Sequence, residues 1–337
     1  MFREERLMAD TVSRRGFLRT LGGIAAAGLV AGPAVQRGAA RAAAYRPGAL
    51  RFGVQTPPQN VTYGSVLEAW QEIEELGFDS AFVFDHFVPI KSDPFGPCLE
   101  GWTLLSALAA QTKRLRVGVL VSGNTYRHPA VLAKMAATVD HVSGGRLILG
   151  MGAGWFELEH RAYGIPFHTV GGRARRLVEA VEVVKTLFAE RAGDYNGKYY
   201  QLRQAPFEPK AVQKPHPPIL IGGMGPRVIQ PLAARHADIW HFFVPRAEPL
   251  KALEISRGFD ASCREVGRDP SEVEKATSLQ PADLAGNTPD VQRKVAALAQ
   301  AGVQHFIVSM FPSYDMKALR AFARDIMPAV REGDIRL

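Results

Sequence analysis

Residues 124–155 read NTYRHPAVLAKMAATVDHVSGGRLILGMGAGW. In order, the stretch holds the exit of one strand, a helix, and a second strand with its own exit. That is the repeating unit of a parallel α/β protein. Pro129 sits where a helix begins, because its missing N–H would have no intrahelical partner there. Val131, Leu132, Met135, Ala136, Val139 and Val142 fall at helical spacing and are the expected buried face. Ser143-Gly144-Gly145 ends the helix, since glycine accepts the left-handed cap conformation. Leu147-Ile148-Leu149 then reads as a buried strand. It runs into Gly150-Met151-Gly152-Ala153-Gly154, backbone bare enough for a planar or phosphorylated ligand to approach closely.

The same alternation extends to both sides. Strands are expected over 50–56, 80–84, 115–121, 146–151, 218–221, 237–242, 274–279 and 305–309. Helices are expected over 65–76, 102–111, 226–235, 249–266, 290–301 and 316–327. Eight strands each followed by a helix favour an α/β fold of the (β/α)8 TIM-barrel kind over an open doubly wound sheet. Residues 155–217 break the rhythm with a long helix (173–188), a small hairpin (193–200) and a proline-rich run. An insertion between strands four and five serves as a lid or binding loop on one reading, and as a packing or homodimer surface on the other.

The start of the chain reads as a leader. Ser13-Arg14-Arg15-Gly16-Phe17-Leu18-Arg19 is a twin-arginine signature; an apolar stretch over 21–35 follows, then the small-residue triplets Ala40-Arg41-Ala42 and Ala42-Ala43-Ala44. Residues 1–44 are therefore expected to be a twin-arginine (Tat) signal peptide and 45–337 the barrel domain. The Tat export machinery is then a partner, and the destination is periplasmic, cell-envelope or extracellular. The apolar stretch is shorter than the roughly 20 residues of a membrane span, and no cysteine follows it, so no stable membrane anchor is expected. By resemblance to such signals, the cargo travels folded and usually carries a cofactor. The leader holds seven arginines against three acids, so the formal charge of +8 falls to +4 without it. No basic block survives, and nucleic acid is not an expected partner. Cys98 and Cys263 are the only cysteines; they can pair after export, but two are no disulfide framework.

In a barrel, chemistry sits where strands end. The first six exits carry Gln55-Thr56-Pro57, Asp85-His86-Phe87, Val121-Ser122-Gly123-Asn124, Gly152-Ala153-Gly154-Trp155, Gly222-Gly223-Met224-Gly225 and Trp240-His241-Phe242. They combine glycine-rich backbone, aromatic surfaces and one Asp-His pair. His86, His128 and His241 lack the spacing of a metal set, so no metal is expected. Gly222-Gly223-Met224-Gly225-Pro226 opening a helix is a candidate phosphate cradle, although a plain tight turn needs the same glycines.

Arg51-Phe52-Gly53-Val54-Gln55, Gly77-Phe78-Asp79-Ser80, Asp85-His86-Phe87, the 124–155 stretch, Glu159-His160 and Pro217-Pro218-Ile219-Leu220-Ile221-Gly222-Gly223 together resemble the luciferase-like monooxygenase superfamily. The branch they are most similar to is that of the actinobacterial deazaflavin (coenzyme F420)-dependent oxidoreductases. The resemblance implies an F420-dependent oxidoreductase with its ring at the strand exits. Asp85, Leu120, Val121, Ser122, Ala153, Gly154, Gly222, Gly223 and Met224 would hold the cofactor, its phosphate lying near Gly222-Gly223-Met224. His86 matches the histidine that acts as acid and base in one dehydrogenase branch. Substrate would meet Gln55, Ile90, Trp155, Trp240 and His241. That sugar-phosphate dehydrogenase branch has Trp where this chain has Ile90, and Glu where it has Trp155, so its substrate is not implied. A small apolar substrate suits Phe87, Ile90, Trp155, Phe156, Trp240 and Phe242 better.

Two other readings stay open from the sequence: an FMN-dependent monooxygenase on the same scaffold, and an exported barrel that binds a ligand without turnover. The superfamily also carries a non-proline cis peptide at the end of the third strand. Counted back from His128-Pro129, the matching bond is Leu120–Val121, although Leu-Val in a strand is by default trans.

Overall fold

The structure, a computed structural model, describes residues 50–311 and 313–332. The expected signal peptide lies outside the described residues. The strands in chain order are β1 (Arg51–Gln55), β2 (Ser80–Val83), β3 (Arg116–Val119), β4 (Ser122–Gly123), β5 (Leu147–Gly152), β6 (Ala192–Asn196), β7 (Gln201–Pro206), β8 (Ile219–Gly222), β9 (Ile239–Phe242), β10 (Glu274–Leu279) and β11 (His305–Ser309). The sheet runs β3-β2-β1-β11-β10-β9-β8-β5, all parallel. Pairing of Val117 with Leu147 and of Gly118 with Ile148 joins β3 to β5 and closes the ring. The fold is therefore an eight-stranded (β/α)8 barrel. The expected third strand is interrupted after Val119: the Leu120–Val121 peptide is cis, and β4 resumes the path beside β5.

The helices are α1 (Tyr63–Glu75), α2 (Gly101–Gln111), α3 (Pro129–Val142), α4 (Glu157–Ala162), α5 (Val170–Ala189), α6 (Ile229–His236), α7 (Pro249–Glu265) and α8 (Thr288–Gln300). A last helical stretch from Met316 to Glu332 contains one π turn, Phe322–Ile326. Helix α3 starts at Pro129 as its sequence demands, with His128 Nδ1 accepting the Ala130 N–H at 3.2 Å. It ends before Gly144 and Gly145, both at positive φ. Its buried face matches the expected one in part: Leu132, Ala136 and Val139 are buried, but Val131 is 52% exposed and Val142 45%, while Ala133, Ala137 and Asp140 are buried in their place. Small residues let α3 approach its neighbours closely, and Val131 and Val142 fall outside the contact.

Side chains alternate in and out along each strand. Phe82, Leu120, Ile148, Leu220, Ile239, Ala276 and Ile307 form the plug inside the barrel, and a much larger apolar layer lies between strands and helices. Below the plug a polar group is buried. His305 Nδ1 lies 2.8 Å from Glu274, its Nε2 lies 2.8 Å from Ser80 Oγ, and Arg51 pairs with Glu274. Above the plug is the mouth where the strands end.

The insertion is sewn to the barrel by buried polar bonds. Asp140 accepts from the Gln213 backbone and side chain at 2.9 and 2.7 Å, fixing the proline-rich run. Arg173 of α5 donates to the Gly154 carbonyl at 3.0 Å. Cys98 and Cys263 are free thiols, so the pairing allowed by their number is not made.

Candidate active site

The mouth of the barrel encloses a cavity of about 500 Å³. Its floor is Leu120 and Val121, with Gly152, Ala153, Gly154, Gly222 and Gly223 along one wall, His241 beside Gly222 on the adjacent strand, and Gln55, Asp85 and His86 as further lining. At the mouth, the inward positions of β5 and β8 are Gly152 and Gly222, which carry no side chain for a steric reason. A Cβ on Gly152 would lie 2.5 Å from Val121 Cγ2, and one on Gly222 3.0 Å from Val121 Cγ1. Gly154 and Gly223 adopt positive φ, which other residues rarely do. The result is a bare, open wall that suits a flat ring and its chain.

His86 stands at one end of this cavity. Its Nδ1 is 2.7 Å from Glu159 Oε1, a fully buried carboxylate on α4. The same oxygen accepts from the Tyr126 hydroxyl, and Oε2 accepts from the Phe87 N–H at 2.8 Å. Burial would raise the Glu159 carboxyl, but hydrogen bonds and charge from His86, and then from Tyr126 and Phe87, outweigh it and hold it below the usual range. Burial and the Glu159 contact push the Tyr126 phenol well above its usual value, so it stays a donor. Phe84, Trp155 and Phe156 present edge-on contacts to the imidazole at 5.0, 5.4 and 5.7 Å between ring centres. Behind it, burial pushes the Cys98 thiol up to about 12, with Glu159 adding to the effect.

A second cavity of about 200 Å³ adjoins the first and shares Gln55, His86, Leu120 and Trp155 with it. Phe84, Ile90 and Phe311 give it apolar walls; Gln280, Ser309 and Lys91 are its further polar lining. Trp155 is 59% exposed and lines both cavities. Gln55 is held by a bond from its amide to the Leu120 carbonyl at 2.7 Å.

Most of the expected site residues thus converge: Gln55, Asp85, His86, Leu120, Val121, Ala153, Gly154, Trp155, Gly222, Gly223 and His241 line the first cavity, and Ile90 the second. Trp240, Phe242, Ser122 and Met224 line neither cavity. Trp240 is fully buried and faces outward, stacked on Phe259 and Phe242 at 4.0 and 4.5 Å, because its neighbours Ile239 and His241 take the inward positions. Phe242 shares that outward layer. Ser122 turns from the cavity, and its hydroxyl accepts the Trp102 indole N–H at 2.8 Å. Met224 lies behind the wall, where its sulfur accepts the Phe243 N–H at 3.4 Å. Asp85 lines the cavity, but its carboxylate is held by Arg127 through bonds of 2.6 and 2.9 Å. Burial raises that carboxyl despite the guanidinium.

His241 reaches Ser278 Oγ at 2.9 Å, and burial, helped by His305, lowers its imidazole to about 4. It is therefore a neutral hydrogen-bonding group. Tyr126, Ser278, Gln280, Ser309 and Phe311 were not identified as site residues from sequence. The last four sit at the exits of strands seven and eight, and carrying the count of strand exits to the end of the chain would have found them.

The residues of this chain match known proteins in the same terms. The family model described as luciferase-like monooxygenase matches residues 49–328. An F420-dependent glucose-6-phosphate dehydrogenase of Microbacterium testaceum is 31% identical over 226 residues, covering 67% of this chain and 66% of the relative, so the chain spans just under two thirds of that protein. An FMNH2-dependent dimethylsulfone monooxygenase of Pseudomonas putida is 34% identical over 143 residues, 42% of this chain and 39% of the relative. Among solved structures, an F420-dependent secondary alcohol dehydrogenase in complex with an F420–acetone adduct superposes with a TM-score of 0.73 at 21% identity, over 84% of this chain and 99% of its own. Relatives that use F420 and one that uses FMNH2 thus share this barrel, and the chain belongs to the luciferase-like monooxygenase family.

Proposed function

We propose that this protein is a coenzyme F420-dependent oxidoreductase acting on a small apolar alcohol or carbonyl compound. One observation carries the reading: His86, backed by a buried carboxylate, opens onto both a bare-walled cavity and an adjoining apolar one. The residues present fit a flat tricyclic ring. Val121 and Leu120 would support it, and Gly152 to Gly154 with Gly222 and Gly223 would leave room for its chain. Bound there, the deazaflavin supplies or accepts a hydride. The chain's own task is to orient substrate in the second cavity, exclude water under Trp155, and move a proton at His86.

The second cavity favours an apolar molecule. Among the described residues, Lys91 is the one lysine or arginine in its lining, and its ammonium sits 5.5 Å over the Phe311 ring. A phosphate dianion is ordinarily met by several charged donors, so a sugar phosphate is poorly served. An FMN-dependent monooxygenase is the second reading, supported by the dimethylsulfone monooxygenase relative. Titrating the mature protein with F420 and with FMN, read by cofactor fluorescence, separates the two. Micromolar binding of F420 alone, followed by cofactor turnover with secondary alcohols or ketones, is expected. Oxygen consumption with reduced FMN would select the monooxygenase. Binding without turnover across a broad panel would leave a ligand-binding barrel.

We infer also that the protein is exported by the Tat route, on the strength of Arg14-Arg15 and the cleavable region that follows. Residues 1–44 fused to a reporter active only outside the cytoplasm should be exported, and Arg14→Lys with Arg15→Lys should abolish it. Export that survives the double change would defeat the twin-arginine reading.

A further inference from the structure

We propose that Glu159 is the positioning residue of His86, fixing its proton on Nδ1 so that Nε2 faces substrate as the proton acceptor, with Tyr126 as the third member of the network. The inference rests on the proposed oxidoreductase chemistry for its purpose, but not for its geometry.

Glu159 is fully buried, and its hydrogen bonds favour the ionised form. An ionised carboxylate only accepts hydrogen bonds. His86 Nδ1, 2.7 Å from Oε1, must therefore be the donor. In a neutral imidazole this leaves the lone pair on Nε2. Among the described residues, no side chain is hydrogen-bonded to Nε2, and the ring lines both cavities. The other polar groups around the ring do not compete for Nδ1. Asp85 is taken by Arg127, the Cys98 thiol donates weakly to the His86 carbonyl at 3.5 Å, and Tyr126 donates to Glu159.

The acid–base logic follows. In the oxidative direction, Nε2 takes the hydroxyl proton of the substrate while the hydride of its carbinol carbon would pass to the bound deazaflavin, leaving the carbonyl; the imidazolium so formed carries its charge against the Glu159 carboxylate. In the reductive direction the hydride would return to carbon and the same proton to the carbonyl oxygen. A buried carboxylate bonded to the far nitrogen of a histidine is a recurrent way to fix tautomer and orientation. Tyr126 and the Phe87 N–H hold the carboxylate in turn. Because Glu159 sits on α4, the insertion after the fourth barrel strand is part of the catalytic apparatus and not only a cover.

The test has two arms. In cofactor-free, full-length protein labelled with nitrogen-15 histidine, the neutral ring of His86 should carry its proton on Nδ1, its signal assigned by loss in His86→Ala. A neutral ring protonated on Nε2 instead would overturn the proposal. This arm is independent of which cofactor the protein uses, so it stands or falls apart from the proposed function. In the second arm, Glu159→Gln should lower kcat about a hundredfold, the scale of one general base, with KM unchanged and the tautomer preference lost. Glu159→Asp should recover part of the rate. Tyr126→Phe should lower kcat by a smaller factor, and it serves if Glu159→Gln fails to fold. An unchanged kcat in folded Glu159→Gln would overturn the proposal.

Discussion

His86 is one of several histidines in the chain, and what distinguishes it is its surroundings. Three aromatic edges and one buried carboxylate leave the imidazole a single orientation, with its free nitrogen toward the cavities. His241, inward on the neighbouring wall, is different: burial holds it neutral and Ser278 occupies Nε2. His86→Ala should therefore lower turnover by roughly a hundredfold or more while F420 still binds. If steady-state kinetics show turnover unchanged and fluorescence titration shows weaker cofactor binding, His86 serves only to hold the ring. The contrast between Trp240 and His241 teaches a residue-scale lesson. Both were legible as strand-exit residues, but a one-residue step along a strand reverses the face, and only the register of β9 decided which one faces the site.

At the scale of elements, the decisive contacts are made by backbone that no side chain may approach. Gly150 on β5 is such a point: a Cβ there would lie 2.0 Å from the Val119 carbonyl oxygen. That oxygen belongs to backbone, so it cannot rotate away. Gly150→Ala should destabilise the fold by about 1–3 kcal/mol or more, the usual scale of overpacking. It should also weaken cofactor binding, since Val119 immediately precedes the Leu120–Val121 floor. Denaturant unfolding midpoints beside a cofactor titration would check both, and a variant as stable as wild type would refute the close approach. Arg146 shows why the Gly-Gly-Arg turn is so specific. Its guanidinium donates to the carbonyls of Ala109, Thr112, Leu115 and Ser143 and ties α2 to the starts of β3 and β5. The helix between them was read correctly in extent and only partly in facing. Val131 and Val142 satisfy helical spacing, yet α3 packs through Leu132, Val139 and its alanines.

Over the whole molecule, the two ends of the barrel have opposite characters. The upper end is open and shaped for a ligand; the lower end is closed by the group of Arg51, Ser80, Glu274 and His305. Burial, reinforced by the Arg51 guanidinium, holds the His305 imidazole down to about 3, even though Glu274 is 2.8 Å away, because Arg51 already balances that carboxylate. Unfolding exposes His305 and His241, which then recover a value near 6.5. Between the folded and unfolded values the unfolded chain binds more protons, so stability rises with pH and falls on acidification. The melting temperature should thus drop as pH is lowered from about 6.5 to about 4, and His305→Asn should flatten the slope even while lowering the plateau. A melting temperature independent of pH across that window would show that these histidines are not buried neutral.

The sequence by itself determined the barrel, because eight strand-and-helix repeats with glycine and proline punctuation are local signals that add up along the chain. It also placed His86, the glycine wall and the Leu120–Val121 bond in one site, since strand exits of a barrel share one end whatever the loops do. What it left undecided were matters of rotation and distance. Trp240, Ser122 and Met224 lie next to cavity residues yet face elsewhere, and Tyr126 faces in although it sits at no counted strand exit. The partnership of His86 with Glu159 spans 73 positions. A contact of that separation exists only once α4 has been folded over the second strand exit, so tertiary structure alone decided which carboxylate orients which histidine.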